Sequence, residues 1–200
     1  MKPKEALRED VAAEREAFRR WMEEVDPRRL IVVDESGICR GMRLLYGYAP
    51  RGQRAVDRAP TGRGRRLSLI GWLDASGRGE AVRLWGTVKG ATFRQFVEEH
   101  LLSALFEGAI VLWDNASIHR DPELEALIEA RGAELKRLPR YSPEFNPIEL
   151  LWSKLKHYIR KARADTSEAL IAALEEAATW ITGADAAGWF EHAGYRLQPT

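Results

Sequence analysis

The chain has 200 residues, of which 45% are apolar and 30% are charged, with a formal net charge of +1 and a single cysteine. This composition is typical of a globular protein with one sizeable core, and its apolar runs are too short for a membrane-spanning helix. One cysteine excludes an internal disulfide framework and an all-cysteine zinc site. The charged start, MKPKEALREDVAAERE, is unlike a signal peptide, so we expect a cytoplasmic protein without a membrane partner.

The amino-terminal region is predicted to form one long helix. Apolar residues at helical spacing indicate an amphipathic helix over 4–25, and Asp26-Pro27 ends it because a residue before proline is biased away from helix. We therefore divide the chain into an N-terminal helix, residues 1–26, and a single domain that closes with further helices, residues 27–200.

Short apolar runs bounded by turn residues predict the strands. Two of these runs, LIVV at 30–33 and AIVLW at 109–113, are each followed directly by an aspartate, Asp34 and Asp114. An arginine-rich segment with several glycines and a proline separates the second and third strands, which predicts a loop. The other predicted strands cover residues 42–48, 67–73 and 134–138, and residues 81–85 are an optional short strand in addition to these five.

Helices are predicted after the first group of strands and between the later ones. A meander of strands followed by alternating helices and strands implies a mixed, five-stranded sheet flanked by helices. The ribonuclease H-like fold has this order, although other α/β folds would tolerate it as well. The predicted helices cover residues 91–106, 121–131, 147–163, 167–181 and 185–193.

Positive charge is concentrated in two segments. Residues 51–66 contain six arginines and one acid, and residues 154–163 contain five lysines or arginines and no acid. Such segregation creates a local basic surface for nucleic acid in a nearly neutral protein. The alternative, ordinary solvated loop and helix faces, stays open on charge alone.

The two aspartates that follow buried strands suggest a metal site. If the strands that precede Asp34 and Asp114 are parallel neighbours, both carboxylates emerge at the same edge of the sheet. Two nearby carboxylates repel each other unless a cation lies between them, and a hard divalent cation such as Mg²⁺ takes oxygen ligands of this kind. For either aspartate alone, the start of a turn or a helix cap is the commoner role, and it is the coincidence with a third acid that favours a metal site.

A third acid, Glu149, begins a predicted helix in the sequence NPIELLWSKLKHYIRK. Its alternative role is capping, with Asn146 as the N-cap and Glu149 three residues later. Ser153, Lys156 and Arg160 share the helix face of Glu149, which suits a metal ion beside a phosphate backbone. The same pattern also suits ion pairing in solvent.

Three segments resemble the bacterial insertion-sequence transposases of the mariner superfamily. The resemblance extends from about residue 25 to about residue 195, and 34 residues separate Asp114 from Glu149, the spacing of this branch. Two departures, Ser36 for the usual threonine and Arg140 for a common proline, replace none of the acids. The matching segments are VVDESG at 32–37, LWDNASIH at 112–119 and LPRYSPEFNPIELLWSKLK at 138–156.

The resemblance implies a ribonuclease H-like DDE catalytic domain that cleaves and transfers DNA strands at transposon ends. Asp34, Asp114 and Glu149 would be the catalytic acids and would hold two Mg²⁺ or Mn²⁺ ions about 3.5–4 Å apart, with Asp34 bridging both. The implied partners are the terminal inverted repeats, a target DNA cut at TA, and a second copy of the chain while on DNA. A separate N-terminal helix-turn-helix portion and action at the bacterial nucleoid are also implied.

Further residues are expected to contact DNA. Asn115 and His119 follow the second acid in the family's pattern, and His119 would either contact phosphate or orient a carboxylate, with a structural histidine as the alternative. The tryptophans, Trp113 and Trp152 among them, are expected in the core. The basic residues expected along the DNA backbone are Arg51, Arg54, Arg63, Arg65, Arg66, Lys154, Lys156, Arg160 and Lys161.

Two other functions stay open on the sequence. The first is a stand-alone metal-dependent nuclease that uses the same acids to cut DNA without joining strands. The second is a domesticated, non-catalytic module that keeps the fold and binds DNA or protein. The presence of all three acids favours an enzyme.

Overall fold

The computed structural model of the chain describes residues 8–44, 46–62 and 64–197. Its strands are β1 (Leu30–Ile38), β2 (Leu67–Asp74), β3 (Gly79–Trp85), β4 (Ile110–Trp113) and β5 (Glu134–Arg137). They form one sheet in the order β3-β2-β1-β4-β5. The first three strands are antiparallel neighbours, whereas β4 is parallel to β1 and β5 is parallel to β4. The predicted mixed, five-stranded sheet is confirmed.

The strand predicted over residues 42–48 is wrong. Residues 42–44 and 46–48 are irregular, and Leu45 lies outside the described residues. β1 already has β2 along one edge and β4 along the other, so the segment that follows β1 directly cannot pair with β1. Tyr46 and Tyr48 are accordingly exposed. The antiparallel meander is β1-β2-β3, and the short strand expected over 81–85 is its third member.

The helices are α1 (Glu9–Glu24), α2 (Gly90–Phe96), α3 (Pro122–Glu129), α4 (Ile148–Ala162), α5 (Ser167–Ala178) and α6 (Gly183–Ala193). Their positions agree with the predictions except that α2 ends early. It continues as a single π-helical segment, Val97–Leu101, instead of reaching residue 106. Residues 4–7 of the first predicted helix lie outside the described residues. Across the described ranges, none of the helices combines the length and apolarity needed to cross a membrane.

Apolar side chains cover both faces of the sheet. On one face, Val32 of β1 and Leu112 of β4 are buried together with residues of α1, α4, α5 and α6. On the other face, the alternate residues Val33 and Val111 are buried with residues of α2 and α3. Because side chains alternate along a strand, every second residue after Val32 and Leu112 faces α4.

Candidate active site

Asp34 and Asp114 lie side by side because their strands are parallel and in register. The last paired residues of β1 and β4 are Val32 and Leu112, and each aspartate comes two residues later. The predicted parallel arrangement is therefore confirmed. Asp34 is not in a turn, however, because β1 continues to Ile38 by pairing with β2.

Glu149 reaches the same face of the sheet from the first turn of α4. The apolar side of α4 is buried as predicted, by residues Ile148, Leu151, Trp152, Leu155 and Ile159. The capping alternative finds no support, because the Asn146 side-chain oxygen accepts no hydrogen bond and the helix has no side-chain cap. The Glu149 N–H group donates instead to the backbone carbonyl of Asn146, at 3.1 Å.

The three acids line one cleft of about 440 Å³. Asn115 lines it as well, and the segment between β5 and α4 forms the opposite wall. Within the residues that the structure describes, no three His, Cys, Asp or Glu side chains lie close enough together to hold one metal ion as they stand. The fold thus brings the three acids to one cleft, and joint coordination of an ion requires their side chains to move closer.

The charges in the cleft act on one another. Burial raises the pKa of Asp34 well above its usual value, and the nearby charges of Glu149, Glu35 and Asp114 raise that pKa further. Burial also raises the pKa of Glu149; Lys156 opposes that rise and Asp114 adds to it. The repulsion among these acids is what a bound cation would relieve.

Asp34 is held in place by Trp152 through a hydrogen bond from the indole N–H group, which the sequence did not reveal. The Trp152 Nε1 atom donates a hydrogen bond to Asp34 Oδ2 at 3.1 Å. Gly71 of β2 pairs with Asp34 and leaves room for the indole ring. A Cβ atom at Gly71 would lie 2.9 Å from Trp152 Cη2. The buried position expected for Trp152 is confirmed, and its N–H group orients one of the three acids.

Asp114 is held by His119, which also contacts Glu35. The His119 side chain has no exposed surface; its Nδ1 atom lies 2.7 Å from Asp114 Oδ1, and its Nε2 atom lies 2.8 Å from Glu35 Oε1. Burial alone would lower the His119 pKa, but the two carboxylates raise that pKa to about 9. Burial alone would raise the Asp114 pKa, but hydrogen bonds from His119 and the Ala116 N–H group hold it below its usual value.

This network bears on the roles predicted for His119. A fully buried imidazole cannot reach a phosphate, so the structure favours the alternative in which His119 orients a carboxylate. Glu35 was missed because DESG looked like a turn, and no local pattern indicates that it meets a histidine 84 residues away.

We expect replacement of His119 by glutamine to lower the free energy of unfolding of the metal-free protein by about 2 kcal/mol. The substitution leaves the Asp114 and Glu35 carboxylates without the cation that they share. The expected loss of unfolding free energy is smaller than for a fully buried pair, because half of the Asp114 side chain is exposed. Urea unfolding in EDTA measures the change. Adding Glu35→Gln should recover part of the loss, since one unpaired charge is then removed. A loss under about 0.5 kcal/mol, typical of a neutral surface substitution, would contradict this role.

The remaining DNA-contact candidates are found in different environments. Asn115 lines the cleft and donates from Nδ2 to the Leu138 carbonyl oxygen at 2.6 Å. Lys154 points away from the cleft and pairs with Asp185 at 2.7 Å, so it is engaged within the protein. Lys156 is close enough to Glu149 to lower its pKa.

The other basic candidates lie on loops or further along α4. Arg51 and Arg54 are exposed on the irregular segment between β1 and β2. Near the start of β2, Arg65 lies over the Trp85 ring and Arg66 donates to Ser68 Oγ. Arg160 and Lys161 lie in the last turn of α4, and Arg63 is outside the described residues. Their contacts with DNA stay predictions.

Comparisons with known proteins bear on the family and the fold of the chain. The family model described as DDE superfamily endonuclease matches residues 29–171. A pre-cleavage Mos1 transpososome has a TM-score of 0.73 at 21% identity, over 94% of this chain and 60% of the Mos1 chain. The Mos1 mariner paired end complex with Mn has a TM-score of 0.71 at 21% identity, over 96% and 62%. The catalytic domain of Mos1 mariner transposase has a TM-score of 0.67 at 18% identity, over 96% and 91%.

These likenesses confirm the predicted ribonuclease H-like fold. The chain spans about 60% of the length of the Mos1 chain in the transpososome, and it covers 91% of the separate Mos1 catalytic domain. Curated protein sequences give no significant match.

Proposed function

Because this chain belongs to the DDE superfamily of endonucleases, we propose that it is the catalytic domain of a transposase of the bacterial insertion-sequence branch, which cleaves and joins DNA with divalent metal ions. The supporting observation is that Asp34, Asp114 and Glu149 line one cleft although they come from β1, β4 and α4. The parallel register of two strands and the buried side of one helix account for this convergence.

The donor chemistry of the cleft fits Mg²⁺ or Mn²⁺. Burial, together with the charges of neighbouring carboxylates, raises the pKa values of Asp34 and Glu149. Asn146 Oδ1 is a buried oxygen atom at the same cleft and has no hydrogen-bond partner. Hard divalent cations prefer such oxygen ligands. We assign Asp34, Asp114 and Glu149 as the ligands of two ions. When bound, such ions activate an attacking hydroxyl group and neutralise charge on the phosphate.

The side chains around the acids would orient them for this chemistry. Trp152 bonds one oxygen of Asp34, and His119 bonds one oxygen of Asp114, so each carboxylate keeps a second oxygen for the cleft. Lys156 supplies a positive charge near Glu149, where it can attract a DNA phosphate. The protein's contribution is therefore positioning and charge, with no covalent intermediate on the enzyme.

The wider role follows from the same proposal. The substrates would be terminal inverted repeats and a TA target, and pairing two DNA ends would bring two copies of the chain together. The similar Mos1 chains are described as a transpososome and a paired end complex, which supports this assignment. Reading of the repeats would come from a separate N-terminal helix-turn-helix portion, and the reaction would take place in the bacterial cytoplasm, at the nucleoid.

The test is incubation with supercoiled plasmid and Mn²⁺, together with a labelled DNA that ends in a free 3′-hydroxyl group. We expect nicked plasmid and labelled plasmid, and neither in EDTA or with Asp114→Asn. Nicking without labelled plasmid would favour the stand-alone nuclease. Equal nicking by Asp114→Asn would show that another site is responsible, and no nicking by either protein would favour a non-catalytic binding module.

A further inference from the structure

The amino-terminal helix inserts a charged side chain into the wall of the cleft. Arg15 of α1 is only 5% exposed. Its Nη1 atom donates to the Tyr141 carbonyl oxygen at 3.0 Å and to Ser142 Oγ at 2.6 Å, and its Nη2 atom pairs with Glu144. The guanidinium group also lies 5.1 Å from the centre of the Phe145 ring. The Arg15 side chain therefore contacts four residues within positions 141–145, in the segment between β5 and α4.

The segment that Arg15 holds has an unfavourable backbone conformation. Tyr141 has a φ of 55°, in the left-handed region that a bulky residue rarely adopts. Such a residue costs on the order of 1–3 kcal/mol and persists only where its surroundings impose the conformation. The hydrogen bond from Arg15 to the Tyr141 carbonyl is part of those surroundings.

The same segment leads directly to the third acid. Residues 138–143 line the cleft opposite Asp34 and Asp114, and the 3₁₀ turn Pro143–Phe145 precedes α4. The first turn of α4 depends on this segment, since the N–H group of Glu149 donates to the Asn146 carbonyl. The position of Glu149 is thus set by a chain segment that is anchored to α1.

Further contacts tie α1 to this segment. Arg140 Nη2 bonds Asp10 and Glu14 of α1, each at 2.7 Å. The Phe18 and Phe145 rings stack with their centres 5.5 Å apart. Among these contacts from α1, the Arg15 side chain bonds Tyr141, the residue with the strained backbone. Arg15 is also almost fully buried.

We propose that Arg15 is a positioning residue for Glu149: it fixes the segment between β5 and α4 and thereby places the third acid across the cleft from Asp34 and Asp114. This inference rests on the proposed function, because Glu149 needs an exact position only if it shares a metal ion. Helix α1 is then a structural part of the catalytic cleft, although it contributes no acid to it.

The experiment compares Arg15→Met and Arg15→Lys with Met22→Ala, all in the full chain. Lysine keeps the charge but not the planar fork of donors, so it should restore only part of the function. Met22 is buried on the same helix, and its replacement removes apolar packing from α1 while every bond from α1 to the segment is kept. Amide hydrogen exchange without metal, Mn²⁺ binding by calorimetry, and cleavage kinetics are measured for each protein.

We expect Arg15→Met to speed amide exchange in residues 139–150 about tenfold or more, because charge-assisted hydrogen bonds are lost. Mn²⁺ affinity should fall on the order of tenfold, as when groups that orient metal ligands are removed. kcat should fall by a similar factor while KM for DNA changes by less than about twofold. Arg15→Lys should give intermediate values, and Met22→Ala should change none of the three.

Unchanged exchange in residues 139–150 of Arg15→Met would overturn the proposal. The proposal would also be overturned if Arg15→Met bound Mn²⁺ as tightly as the parent. The same holds if Met22→Ala lost as much Mn²⁺ affinity as Arg15→Met. Failure of the proposed function gives a different result. In that case the unsubstituted protein binds Mn²⁺ no more tightly than Asp114→Asn does. That result overturns both assignments, and it is visible before any change is made at Arg15.

Discussion

Replacement of Asp34 by asparagine is expected to abolish metal-dependent DNA cleavage and, at the same time, to make the metal-free protein more stable. Cleavage should fall at least about a thousandfold, because the variant loses the assigned metal ligand and its charge. The free energy of unfolding should rise by about 1 kcal/mol, or roughly 2–4 °C in Tm, because a poorly solvated charge beside Glu149, Glu35 and Asp114 is removed. The amide oxygen of asparagine can still accept the Trp152 hydrogen bond.

Calorimetric melting in EDTA and in Mn²⁺ tests this prediction. Mn²⁺ should stabilise the parent by mass action but not Asp34→Asn, so the order of the two melting temperatures should reverse when the metal is added. Glu129→Gln, which removes an exposed acid on α3, is the control for the loss of one negative charge. A variant that is less stable than the parent in EDTA would show that the acids do not repel each other in the folded protein.

Replacement of Gly71 by alanine is expected to disturb both the core and the site. The added Cβ atom would lie 2.9 Å from Trp152 Cη2 and 3.0 Å from the Glu80 carbonyl oxygen. The backbone oxygen cannot yield easily, so the Trp152 ring must move. We expect a loss of about 1–3 kcal/mol in the free energy of unfolding. Mn²⁺ affinity should also fall about tenfold, because the displaced indole no longer orients Asp34.

Gly188→Ala is the matched control, because a Cβ atom at this position in α6 meets nothing within 4 Å. It should stabilise the protein by about 0.5–1 kcal/mol and leave Mn²⁺ binding unchanged. Trp152→Phe separates the two effects of Gly71→Ala, since it keeps a ring in the core but lacks the N–H donor. If Trp152→Phe binds Mn²⁺ as tightly as the parent, the indole hydrogen bond does not contribute to the site.

The elements that carry the acids could be predicted from local patterns, and the resemblance to the mariner superfamily singled out the acids themselves. Asp34 and Asp114 come after apolar runs that form neighbouring, parallel strands, and Glu149 begins a helix whose buried side has clear helical spacing. Patterns of this kind reflect burial, which the sequence records residue by residue. The same reasoning failed for residues 42–48, whose apolar content suits a strand but which cannot pair with β1, because both edges of β1 are already occupied.

The groups that orient the acids could not be predicted, because they are far apart in the chain. The Trp152–Asp34 hydrogen bond joins residues separated by 118 positions, and the Arg15–Ser142 hydrogen bond joins residues separated by 127. Neither pair leaves a periodic or spaced signal, since a single hydrogen bond constrains only the two residues that make it. Trp152 is recognisable as a core residue, but its N–H direction depends on the packing of α4 over Gly71.

The amino-acid sequence by itself indicated the three acids that we assign to the chemistry and the elements on which they lie, because hydrophobic periodicity and residue type are local properties. Only the tertiary structure decided how those acids are held. β2 pairs with β1 along one edge, and the packing of the helices places Trp152, His119 and Arg15 around the cleft. The physical reason is that hydrogen bonds and close contacts act over a few ångströms in space, whatever the distance along the chain.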